Sequence, residues 1–189
     1  SNLKAHLYKQ ILISLRLNPA HKNIRIQIRE QLDFATVLYQ KGLYKQSLKL
    51  LDKAKSFALE NEEKNIAYEI VELEKVIETQ YITRSLSNRA DQLSEQAKTL
   101  SQQNVIASKL SNLSLQLYSH LLQNGYVKNN EELEFINTYF YSKLPKYDYN
   151  TFGFREKLWL YKSHLWFSLF TQDFLQSYKY AKKWVSLFQ

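Results

Sequence analysis

The stretch "YQKGLYKQSLKLLDKA", residues 39–54, sets one of only three glycines in the chain between two runs of helix-forming residues. Gly42 stands where the first run ends. Without a Cβ it can enter the left-handed conformation that closes a helix C-terminus. Tyr44 then opens the next run, placed to pack back across the turn. Ser47 is small where two helices must approach closely. Leu48, Leu51 and Ala54 recur at helical spacing and face the partner helix. The stretch reads as the tight corner of a helical hairpin.

The same helical spacing of apolar residues extends in both directions. Upstream, Ile24, Ile28, Leu32, Ala35 and Leu38 form one stripe, and Leu3, Leu7, Ile11 and Leu15 form an earlier one. Asn18-Pro19 ends that first helix, because the residue before proline avoids the α region. Downstream come Ile66, Ile70, Leu73, Ile77 and Tyr81, then Leu86, Ala90, Leu93, Ala97 and Leu100, then Ile106 to Leu121, closed by Asn124-Gly125. Two stripes lose register near Thr83 to Asn88, which reads as a kink or a junction of two helices. A shorter helix is expected over about 131–142. The loop "KLPKYDYNTFG" follows, and two final helices run over about 154–170 and 173–188. No period-two strand pattern appears. The expectation is an all-α chain of about seven or eight helices, arranged as antiparallel pairs with short connections.

Composition narrows the function. Cysteine is absent, which excludes a disulfide framework, a thiol nucleophile and a Cys-ligated metal, and it fits a cytoplasmic setting. Three scattered glycines exclude Gly-rich phosphate cradles. The histidines, His6, His21, His120 and His164, share no helical i, i+3 or i+4 spacing, so no metal or other cofactor is expected. No apolar run reaches the ~20 residues of a membrane span. The opening Ser1-Asn2 reads as a cloning remnant, so a native leader could have preceded it.

The net charge of +8 is unevenly spread. Residues 1–58 hold eleven Lys/Arg against three Asp/Glu, whereas residues 59–83 hold two against seven. Lys41, Lys45, Lys49 and Lys53 recur every fourth position as a candidate basic ridge, and Arg25 and Arg29 do the same on the preceding helix. Such ridges could contact phosphates, making a nucleic-acid-binding module the alternative function. A Lys-rich solvated face accounts for the ridge more simply. The carboxylates between Glu60 and Glu78 read as a solvated helix face rather than as acid–base machinery.

The hairpin around Gly42 resembles the tetratricopeptide repeat (TPR), a 34-residue helix-turn-helix unit. Phe34 and Ala35 take the family's Leu-Gly positions. Gly42, Tyr44, Ser47, Leu51 and Ala54 fall at its turn glycine, aromatic, small, large and alanine positions. Gln31 replaces the usual Trp, and no proline follows the second helix. A degenerate second copy lies in "LFTQDFLQSYKYAKKWVSLF", with Gln172-Asp173-Phe174 at the turn and aromatic and Ser177 at the small position. The resemblance implies a TPR-like α-solenoid as a single domain over 1–189. Its TPR-like units lie near 25–60 and 155–189, with a long helical hairpin near 64–124. The absence of a polar capping helix implies the N-terminal part of a longer protein.

The family resemblance implies a non-catalytic scaffold or adaptor that binds a protein or peptide partner. A regulatory domain of a larger protein is a further alternative. In the repeat register, Trp159, Lys162 and Trp166 fall on the inner face of the penultimate helix. With Arg25 and Arg29 they are the candidate partner-binding residues. For the two tryptophans, core packing is the competing reading. The residues at the family's carboxylate-clamp positions, Arg29, Leu32, Asp33 and Thr36, do not match that clamp.

Overall fold

The computed structural model describes residues 2–17, 23–80 and 88–189. Among them are eight α-helices: α1 (Asn2–Leu17), α2 (Ile24–Gln40), α3 (Tyr44–Glu60), α4 (Lys64–Gln80), α5 (Arg89–Asn124), α6 (Asn130–Lys143), α7 (Phe154–Phe170) and α8 (Phe174–Val185). Short 3-10 turns follow at Tyr149–Thr151 and Ser186–Phe188. No described residue is in a strand. The all-α expectation and the helix count stand. The proline end of α1 and the register change at 83–87 lie outside the described residues. The chain clusters into two compact units, Ser1–Leu86 and Ser87–Gln189.

In the first unit, α2, α3 and α4 are each 17 residues long. The three-residue links 41–43 and 61–63 share one geometry. After α2, the Gly42 N–H donates to Tyr39 O and the Leu43 N–H to Leu38 O, both at 2.9 Å. After α3, the Glu62 N–H donates to Leu59 O and the Glu63 N–H to Ala58 O. Both are Schellman closures, which satisfy the last carbonyls of a helix through one left-handed residue. Gly42 sits at φ +75°, and a Cβ there would meet nothing within 4 Å, so the glycine answers a backbone need rather than a spatial one. Glu62 takes the same role at φ 57°. A non-glycine residue pays roughly 1–2 kcal/mol for that conformation.

Ser47 is fully buried, and its hydroxyl donates to Ala35 O at 2.7 Å. A small hydroxylated residue therefore lets α3 lie close against α2. Ile28, Leu32, Leu51, Ala54, Ala58, Ile66, Ile70 and Ile77 form the core.

The acidic run departs from its expected solvated role at Glu74. Its side chain is fully buried, and Lys55 Nζ of α3 donates to it at 2.6 Å. The neighbouring helix thus supplies the cation that a carboxylate in this position needs. A second departure is α1, whose stripe stays exposed, with Leu3 82% accessible and Leu7, Ile11 and Leu15 also exposed.

The second unit is built around α7. None of its 17 residues is exposed, although four of them, Arg155, Glu156, Lys157 and Lys162, are charged. Ile106 and Leu110 pack with Phe152 and Leu160, while Leu113 and Leu117 pack with Phe170. Residue numbers rise together along this seam, so α5 and α7 run parallel. The buried Ser163 hydroxyl donates to Leu110 O at 3.1 Å and lets the two helices close up. α6 covers the C-terminal half of the seam with Ile136 and Phe140. The link 171–173 repeats the Schellman closure, with Gln172 at φ 60° and bonds from Gln172 N to Leu169 O and from Asp173 N to Ser168 O. Ser177 is buried and bonds to Ser168, so the degenerate copy keeps the close approach at its small position.

Candidate functional site

The residues singled out in sequence fall into three environments. Trp159, Lys162 and Trp166 lie on α7 and are half-buried. Lys162 Nζ sits 5.1 Å from the Trp159 ring centre and 4.9 Å from that of Trp184 on α8. The ammonium is thus held between two indoles, a cation–π arrangement worth roughly 0.5–2 kcal/mol per contact. Trp166 stands against Tyr118 of α5, with ring centres 4.7 Å apart. These side chains fasten α7 to its neighbours. Trp184, the second wall around Lys162, was not among the sequence candidates.

Arg25 and Arg29 belong to the first unit. Arg25 Nη1 lies 2.8 Å from Glu63, and Arg29 Nη1 lies 3.4 Å from Glu69. Both guanidinia are tied to α4 or the turn leading into it. Lys41, Lys45, Lys49 and Lys53 all remain exposed and form a continuous row along α3 and its lead-in.

Two surfaces in the second unit escaped the sequence reading. One is a cleft of about 510 Å³ between the end of α5 and α6, walled by His120, Tyr126, Phe135, Tyr139 and Phe170. Beside it, Asn129 caps α6 and Glu132 reaches back to the residue before the cap. The Glu132 N–H donates to Asn129 Oδ1 at 2.8 Å, and Glu132 accepts from the Lys128 N–H. Its walls come from separate helices, so no local pattern announced it.

The other surface is the outer side of α8. Its inner side is fixed by Ser177, Tyr180 and Trp184. Its outer side leaves Phe174, Leu175, Tyr178 and Val185 exposed at 63%, 79%, 69% and 56%. An open groove of about 600 Å³ runs along it, between Leu175, Tyr178, Lys179, Lys182, Lys183 and Ser186. The signal was legible in part: Phe174, Tyr178, Ala181 and Val185 follow a 4-3-4 spacing.

Electrostatics reinforce this basic character. His164 stacks on Tyr180 with ring centres 4.3 Å apart. Burial, and then the nearby Lys183 and Lys179, push its pKa down to about 4. It is therefore neutral near pH 7. The Tyr180 hydroxyl is raised above its ordinary value, chiefly by burial. Lys183 Nζ lies 5.4 Å from the Tyr180 ring centre and 5.7 Å from that of Tyr161.

Among the described residues, no three His, Cys, Asp or Glu side chains gather as a metal site. No described helix is long and apolar enough to cross a membrane. No protein-family model, curated protein or solved structure matches the chain.

Proposed function

We propose that this chain is a non-catalytic, cytoplasmic protein–protein interaction module, a TPR-like scaffold or adaptor. The observation that carries this reading is the outer side of α8, where four large apolar side chains stand in one exposed patch beside three lysines. Contiguous apolar exposure of this kind marks interaction surfaces more often than chance scatter. The turn geometry around Gly42 and the Ser47–Ala35 contact support the resemblance to the repeat family.

The test is capture of partners from native-cell extract by the intact chain, with and without nuclease. A discrete protein partner that survives nuclease, and is lost with Leu175→Glu/Tyr178→Glu, supports the module and places its surface. Nucleic acid is the second reading, favoured by the four exposed lysines of the α3 ridge. It predicts that nuclease abolishes capture and that affinity falls steeply with salt.

A further inference from the structure

We propose that the outer side of α8 docks an acidic amphipathic helix of a partner protein. This rests on the interaction-module reading above and adds the chemistry of the partner. Phe174, Tyr178, Ala181 and Val185 line up along one side of α8, with Leu175 beside them. A 4-3-4 spacing is the seam into which the side chains of a second helix fit. The open groove alongside is lined from Leu175 to Ser186.

Charge decides what the second helix carries. α8 contains Lys179, Lys182 and Lys183 and no Asp or Glu. Asp173, just before it, has its carboxylate committed to capping the Gln176 N–H at 3.0 Å. No carboxylate among the described residues forms an ion pair with any of the three lysines. A partner with carboxylates flanking its apolar stripe would meet three cations while covering the exposed aromatics. A second copy of α8 would instead bring lysine against lysine, which disfavours self-pairing.

The placement of Lys182 favours a protein over an anionic membrane. It lies four residues after Tyr178 and three before Val185, inside the apolar sector rather than at its edge. A helix seated in a bilayer sinks that sector and keeps its cations at the polar side. Lys182 would then enter the apolar layer, whereas a facing carboxylate would pair with it.

The probe is a synthetic 18-residue helical peptide with Leu at i, i+3, i+4 and i+7 and Glu on both flanks. Three controls accompany it: the same peptide with Lys for Glu, a scrambled peptide of equal charge, and vesicles of mixed phosphatidylserine and phosphatidylcholine. Binding to the intact chain is followed by fluorescence anisotropy and vesicle flotation. The acidic amphipathic peptide is expected to bind at least tenfold tighter than either control peptide. Lys182→Glu should weaken it at least tenfold and improve the Lys peptide. Leu175→Glu should also weaken it at least tenfold, with an unchanged thermal melt because Leu175 is largely exposed.

Equal binding of the scrambled peptide would reduce the effect to net charge and overturn the proposal. Vesicle binding without peptide binding would overturn it in favour of a membrane. If extract partners are lost with Leu175→Glu/Tyr178→Glu while the acidic peptide fails, the module stands and the partner chemistry falls. If those substitutions leave extract partners bound, the surface itself is wrong.

Discussion

Each unit contains a pair of helices one apart in the chain that run alongside each other, and polar side chains take a larger part in one pair than in the other. Along α2 and α4, long polar side chains bridge the helices beside the shared apolar core: Arg25 to Glu63, Arg29 to Glu69, and Tyr39 Oη donating to Gln80 Oε1 at 2.6 Å. Along α5 and α7 the join is a dry seam of Leu, Ile and Phe, closed by Ser163 and overlaid by aromatic rings. Phe140 stacks on Phe167 with ring centres 4.1 Å apart. Polar ties hold position but contribute little free energy in water. Buried apolar area contributes most of the stability. The first unit accordingly relies on α3, whose alanines and Ser47 sit between α2 and α4.

The sharpest way to break this contrast is Phe140→Ala. Phe140 is fully buried between α6 and α7, so its loss should cost about 4 kcal/mol. Urea unfolding followed by tryptophan fluorescence reads it, because Trp159, Trp166 and Trp184 all lie in the second unit. A loss under about 1 kcal/mol would contradict the dry seam.

Among the described residues of the first unit, the Lys55–Glu74 pair is a buried ionic tie between helices. Glu74→Leu alone should destabilise by about 3 kcal/mol, because it leaves the mostly buried Lys55 ammonium with only the half-exposed Asp52 carboxylate, 3.6 Å away. Lys55→Met combined with Glu74→Leu should recover most of that loss. Circular dichroism during urea unfolding reads both variants, and a double variant no more stable than Glu74→Leu would contradict the pairing.

His164 offers a pH-dependent probe of the second unit. Its folded pKa, about 4, lies below the ordinary 6.5, so the unfolded chain binds the proton more readily. The contribution is complete above pH 6.5 and is lost as pH falls toward 4, by on the order of 3 kcal/mol at most. His164→Gln should flatten that part of the stability profile. An NMR titration midpoint near 6.5 would remove the basis for the effect.

The smallest expected effect is at the polar seam. Arg25→Ala and Arg29→Ala should each cost about 0.5 kcal/mol, and less at high salt. A loss of several kcal/mol, unmoved by salt, would erase the contrast between the seams.

Much of the fold was legible because helical periodicity is a local property. The stripes from Ile24 to Ala58 predict α2 and α3, and the loop after Leu144 separates α6 from α7 as expected. Gly42 announced its turn because glycine is the residue that takes positive φ most easily. The turns at Glu62 and Gln172 use the same conformation without that marker, so the helix breaks near 60–64 and 170–173 were legible but their left-handed closures were not. Burial was less legible. The stripe of α1 has the spacing of a core helix yet remains exposed, and Glu74 has the spacing of a solvated face yet is buried.

The sequence by itself determined where the helices run, the bounds of α6 and α7 to within a residue, and the close-approach serines at 47 and 177, because each depends on residues within a few positions. The tertiary structure alone decided which stripes become core, which cations find carboxylates and which surface of α8 is left uncovered. Those outcomes depend on side chains far apart in the chain. Lys55 pairs with a glutamate on α4, Lys162 lies against two indoles from α7 and α8, and Lys182 meets no carboxylate of its own helix.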